Sequence, residues 1–261
     1  MINKDDVLTE TLQNNVFVVN SNKENLFVFT LSDIHIGLGN QKYIKAIVEF
    51  IKNLDNVCVI LGGDLLDNPT KSSPASPLED YLTPQQQLEK AVELLKPIKD
   101  KIVAIIEGNH EKRTEKEAYI SITQMLATLL GIPNAYKREL AIGYITLNEN
   151  CYVYVDIHKH RKTKNYYSFY NADILILEHT HEFNFIEKPV VFHNKYTKKP
   201  SVRTTYEINN GSALAFPHYA KYAGYSIQPI GTYVVELSGK QRDIKVWKDV
   251  DLINAIERGY R

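Results

Sequence analysis

Three short apolar runs, separated by segments of helical period, constrain this chain more than any other feature. They are LFVFTL (residues 26–31), NVCVIL (56–61) and IVAII (102–106). A run that is apolar at nearly every position reads as a strand buried on both faces. After the first run, Ile44, Ile47, Val48, Ile51 and Leu54 recur at helical spacing. Before the third, Leu88, Ala91, Val92 and Leu95 do the same, with Thr83 as N-cap and Pro84 at the first helical position. A further helix is expected over residues 115–130, ended by Gly131 and Pro133. The order β-α-β-α-β-α predicts a parallel-type sheet covered by helices.

The second half is richer in strands: CYVYVDI (151–157), DILIL (173–177), then RTTYEIN, GTYVVEL and DIKVW, with a closing helix around 252–258. The expected fold class is therefore α/β (α+β), two packed sheets with helices outside and a meander-like end. Nothing reads as an interdomain linker, so one domain is expected over residues 1–261. A chain of this length buries roughly 70–75% of its unfolded surface without a staple. Residues 68–83, rich in Pro and Ser, form a long excursion between strand and helix. Loops of that length are often lids or binding loops.

Acidic and basic residues balance at 31 each, so any preference for nucleic acid must come from local clusters. Cys58 and Cys151 both sit in apolar, β-rich runs and are expected as buried thiols. Low cysteine usage suits a reducing compartment. The start, MINKDDVLTE, lacks the apolar region of a signal peptide, and no apolar stretch approaches the ~20 residues of a membrane helix. A soluble, cytoplasmic protein is expected.

Chemistry-bearing residues gather where the strands end. SDIH follows the first strand, GGDLLD the second, EGNHE the third, DIHKH the CYVYV strand and EHTH the DILIL strand. In open α/β sheets, ligands bind outside the carboxyl ends of the strands, where loops join residues distant in sequence. Each group alone is an ordinary turn, but five in succession are not. Carboxylate, imidazole and amide oxygen suit Mn, Fe or Zn, and the absence of thiolates disfavours a purely structural zinc. Two such cations ~3.5–4 Å apart clamp a phosphate. Asp64, after a Gly-Gly turn, is the candidate bridging carboxylate.

The order Asp-x-His, Gly-Asp-x-x-Asp, Gly-Asn-His-Glu, His, His-x-His, running to residue 181, resembles the calcineurin-like metallophosphoesterase superfamily. The resemblance implies a two-sheet β-sandwich flanked by helices and hydrolysis of a phosphate ester at two divalent metal ions. By motif, Asp33, His35, Asp64 and His181 would hold the first, and Asp64, Asn109, His158 and His179 the second. His110 would be the histidine that assists the leaving oxygen, with Asp67 or Glu111 orienting neighbouring histidines. Manganese is the first expectation, with iron or zinc as alternatives. Two positions depart from the family pattern. Glu178 stands where Gly is usual, placing a further carboxylate beside the His-x-His turn. His158 is followed by Lys159 and His160, which makes His160 a rival ligand. His158, first off the strand, is preferred. Residues 70–131 and the stretch GSALAFPHYAKYAGYS also look similar to phosphoesterases of bacteriophage genomes, which would imply the host cytoplasm.

Residues 158–167 (HKHRKTKNYY) set four basic residues and two tyrosines beside the expected metals, and 194–203 (NKYTKKPSVR) add four more basic residues. Basic residues among aromatics suit phosphate contacts and base stacking. Lys159, His160, Arg161 and Lys162 are thus candidate substrate contacts, and the expected substrate is a phosphodiester, DNA, RNA or a nucleotide. Phosphomonoester or phosphoprotein hydrolysis is the alternative within enzymes. An inactive nucleic-acid or protein adaptor is the alternative outside them, disfavoured because every expected ligand type and His110 are present. His193 and Trp247 read as surface or structural and as core, respectively, and His218 as part of an aromatic cluster.

Overall fold

A computed structural model describes residues 12–71, 73, 82–158, 170–194, 196–214 and 228–260. Lys159, His160, Arg161, Lys162 and His218 lie outside the described residues, as do parts of the 68–83 excursion.

The three apolar runs form β2 (Asn25–Leu31), β3 (Val57–Leu61) and β4 (Ile102–Ile106), paired in parallel. Their double-sided apolarity is explained by what covers each face. Phe27, Phe29 and Leu31 of β2 pack under helices, while Leu26 and Val28 face a second sheet. The covering helices include α1 (Gln41–Lys52), capped by the Asn40 side chain, and α2 (Pro84–Leu95). Thr83 and Gln86 close a reciprocal capping box on α2.

Where one helix was expected over 115–130, there are two: α3 (Glu111–Ala118) and α4 (Ile122–Leu129). Tyr119, at φ 57°, ends the first in a left-handed turn, and Ser121 caps the second through the Gln124 N–H.

Completing this sheet are β5 (Tyr136–Lys137) on one side and β11 (Tyr233–Ser238) and β12 (Ile244–Lys248) on the other, in the order β12-β11-β2-β3-β4-β5. The facing sheet is built from β1 (Val16–Ser21), β6 (Leu140–Leu147), β7 (Asn150–Ile157), β8 (Ile174–Leu177), β9 (Asn184–Asn194) and β10 (Lys199–Asn209), ordered β1-β6-β7-β8-β10-β9. Helix α5 (Asp249–Glu257) closes the described chain. The fold is thus two mixed sheets flanked by five described helices. Among the described residues, no helix is long and apolar enough to cross a membrane.

The chain's end is not a simple meander. β10 returns parallel to β8, and β11 then crosses to the other sheet to pair with β2. Alternation along a strand shows which residues share a face, but not which sheet receives the strand. Two side-chain expectations also change. Cys58 is buried but Cys151 is exposed, because the first turns of β7 alternate outward. Trp247 is half-buried, its ring against Tyr260 and its N–H donated to Glu236 Oε2 at 2.8 Å.

Candidate metal centre

The parallel strands β2, β3, β4, β7 and β8 all end on the same edge of the sandwich, and the five motifs follow those ends. The loops after β2 and β3 are tied by backbone bonds, with the Asp33 N–H donating to Gly63 O and the His35 N–H to Asp64 O, both at 3.0 Å. Gly108 lets the third loop pass against the second, since a Cβ there would overlap Asp64.

Two groups of donors result. In the first, Asp33 Oδ1 lies 3.0 Å from His181 Nε2 and 3.9 Å from His35 Nε2. In the second, Asp64 Oδ2 lies 3.2 Å from His158 Nε2 and 3.8 Å from His179 Nδ1. Asn109 Oδ1 joins it, 3.2 Å from His158 Nε2. The groups abut, because the His179 N–H donates to Asp33 Oδ2 at 3.3 Å. Asp33, His35 and Asp64 are almost wholly buried.

A divalent cation fits these residues on an observation independent of family. Asp33 Oδ1 and His35 Nε2 are buried without a hydrogen-bond partner among the described residues, although donors stand near them. Buried polar atoms are nearly always satisfied. The Asp33 carboxylate and the His35 imidazole converge without bonding to each other, as ligands disposed around a common point do.

Asp67 ties the neighbouring rings. Its Oδ1 lies 3.3 Å from both His35 Nδ1 and His110 Nδ1, and its backbone oxygen accepts from His110 Nδ1 at 2.8 Å. Glu111 does something other than orient a histidine. Its carboxylate accepts the backbone N–H groups of Asp64, Leu66 and Gly108 at 2.9–3.1 Å, clamping two motif loops together. Glu178 lies in the space a Gly62 side chain would fill, and its Oε2 is 3.4 Å from His158 Nδ1. His158 Nδ1 is 2.9 Å from Gly62 O, which fixes the ring with Nε2 turned to Asp64.

Burial works to raise the Asp33 and Asp64 carboxyls. His181 and His158 beside Asp33, and His158, His179 and His110 beside Asp64, overcome it and hold both below their ordinary value. His158 and His181 are held above the usual imidazole range, against burial, by Asp64 and Asp33 respectively. His35 is lowered, chiefly by burial. Beside the donors, burial and the Asp64 charge push Glu111 up to about 7. Burial also raises Asp156 to about 7 and Glu178 well above its normal range, where Asp156 adds to the effect.

Two features were not read from the sequence. Arg113, one helical turn beyond His110, sets one guanidinium nitrogen 2.9 Å from His110 Nε2 and donates from the other to Asp67 O at 3.0 Å. The i, i+3 spacing in HEKR was the available signal. The second is conformational. Asp33, His35, Asp64, His179 and His181 all have φ between 46° and 73°. For residues other than glycine this is an uncommon, strained backbone, and such strain clusters at functional sites.

Fold and donor set together describe a metal-binding α/β sandwich. The chain belongs to the calcineurin-like phosphoesterases, whose family model matches residues 28–249. No curated protein matches it in sequence. Among solved structures it is similar to Vps29 from Cryptosporidium parvum, at 14% identity and a TM-score of 0.46, covering 87% of this chain and 98% of that one. A predicted phosphoesterase from Streptococcus pneumoniae gives 14% identity and 0.37, covering 87% and 99%. A protein serine/threonine phosphatase from Saccharomyces cerevisiae gives 10% and 0.38, covering 95% and 90%.

Proposed function

We propose that this chain hydrolyses phosphodiesters of nucleic acids or nucleotides with two divalent cations, manganese first among the candidates. The observation that carries the reading is the meeting of two abutting donor groups at the strand ends of a calcineurin-like phosphoesterase. We assign Asp33, His35 and His181 to one cation and Asn109, His158 and His179 to the other, with Asp64 shared. When bound, such a pair neutralises phosphate charge and lowers the cost of generating hydroxide near neutral pH.

The chain's own residues do the remaining work. Asp67 fixes the rings of His35 and His110 through their Nδ1 atoms. A backbone carbonyl only accepts, so His110 Nδ1 carries a proton and Nε2 accepts from Arg113. His110 is nevertheless raised above its ordinary value, because Asp67 and Asp64 outweigh burial and the Arg113 charge. An anionic substrate draws the guanidinium onto a phosphate oxygen, and Nε2, freed of it, takes a proton from solvent that it delivers to the leaving oxygen. The diester preference is supported by the basic and aromatic residues following His158, with Lys159, His160, Arg161 and Lys162 as backbone contacts.

The test is hydrolysis of bis-p-nitrophenyl phosphate and p-nitrophenyl phosphate with added manganese, for wild type and His110→Ala. Diester cleavage that falls about 10²–10⁴-fold in the variant supports the reading. Cleavage of the monoester alone overturns the substrate class. Metal binding without cleavage of either overturns the activity.

A further inference from the structure

The β9–β10 hairpin outgrows the sheet that carries it. Only Tyr206 to Asn209 of β10 pair with β8, whereas β9 and β10 pair with each other along eleven residues, from Asn184↔Asn209 to Asn194↔Lys199. Residues Lys199 to Thr204 are exposed at six consecutive positions, on both faces of the strand. It is a two-stranded ribbon. Because β10 runs parallel to β8, the ribbon leaves the sandwich at the edge opposite the metal centre. Its tip stands about 33 Å along the strand from Asn209.

Charge singles the ribbon out. Residues 188–203 hold five Lys and Arg and no Asp or Glu, in a chain whose 31 basic and 31 acidic residues balance only as a whole. Lys188 is paired with Glu207. Residues opposite one another, and residues two apart on one strand, share a face of a β-ladder. One face therefore presents Phe192, Ser201 and Arg203, with the Arg203 guanidinium 4.9 Å from the Phe192 ring centre. Lys199 belongs to the same face, and Lys198 lies in the adjoining turn.

We infer that the β9–β10 ribbon is an arm that grips duplex nucleic acid at a distance from the metal centre. This rests on the nucleic-acid reading of the site and adds to it a second point of contact. A two-stranded ribbon is one of the shapes the major groove of B-DNA admits. Arginine and lysine on such an element meet phosphates on either side. A second copy of this chain is the poorer occupant, since two such ribbons brought together repel. The separation also sets a length requirement. At ~3.4 Å per base pair, a duplex must extend about ten pairs beyond the centre to reach the arm.

The experiment uses the full chain and a 30-base-pair duplex. Lys198→Ser/Lys199→Ser/Arg203→Ser is compared with wild type and with Val191→Ser/Val202→Ser, which alters the opposite face. The basic-face variant is expected to lose about tenfold or more in duplex affinity at low salt, and its log–log salt slope to fall by roughly 2–3. The valine variant is expected to bind the duplex as wild type does. Bis-p-nitrophenyl phosphate, too short to reach the arm, reports whether each variant is folded. Unchanged duplex affinity in the basic-face variant overturns the inference. So does a dimer that the valine substitutions dissociate while duplex affinity is kept, which would make the ribbon a self-association surface. Wild type that cleaves the small diester but binds no duplex ends the inference and leaves the hydrolase standing. Duplex binding that depends on the ribbon, with no phosphoester cleaved, does the reverse.

Discussion

The two ends of the second sheet treat polar residues in opposite ways. Where the ends of β7, β8 and β10 meet the loops after β2 and β3, carboxylates are buried, imidazoles are buried or half-buried, and five candidate donors hold a left-handed backbone. At the other end of β10, polar and charged residues stand in solvent, and the β9–β10 ladder holds the strand. Strained φ values cost on the order of 1–3 kcal/mol each and persist only where their surroundings over-determine them. Glu111 supplies part of that over-determination by accepting three backbone N–H groups. Among the described residues, nothing comparable braces the ribbon. The difference separates residues that act through geometry from residues that act through charge, and it predicts unequal responses to substitution.

Asp64→Ala should have the largest effect. It removes the carboxylate assigned to both cations, so diester hydrolysis is expected to fall further than the ~10²–10⁴-fold of a lost proton donor. Steady-state rates at saturating manganese check this. Next comes Glu111→Ala, which leaves three N–H groups in the motif loops without their acceptor. At roughly 1–3 kcal/mol for each unsatisfied group, a loss of about 3 kcal/mol or more is expected in urea unfolding. Val202→Ala, on the ribbon, should stay within about 0.5 kcal/mol of wild type. Equal losses at the two positions would erase the contrast.

Asp67→Asn should lower manganese affinity or activity about 10–100-fold, as loss of a partner that orients a ligand does. A pH–rate profile should distinguish this from general damage, because Asp67 also holds His110 above its ordinary value. The smallest effect concerns thiols. Burial pushes Cys58 up to about 12, while Cys151 is exposed. A maleimide at pH 8 should label one cysteine in the folded protein and two in denaturant, without changing activity.

Much of the fold was legible because both-face burial leaves a plain signal. IVAII became β4 with identical limits, and LFVFTL and NVCVIL moved by a residue at most. The Thr83 cap was equally plain, since Pro84 and Gln86 complete it. The strand β1 was missed, because VFVVNS lies on a sheet edge with only part of its length buried. The crossing of β11 to the other sheet was hidden for a different reason, since partner choice is tertiary. At the site, residue types and spacing disclosed the donors, but nothing in DIH or HTH announces a left-handed backbone. Arg113 was hidden by the ordinary charge of its helix. Glu178 was noticed as a departure, yet only packing shows that it occupies the space left by Gly62.

The most direct test of the central claim is calorimetric titration of manganese into the metal-free chain. Two cations bound per chain in wild type, and fewer in Asp64→Asn, is the predicted result. One cation or none in wild type would contradict a centre built on two donor groups sharing Asp64.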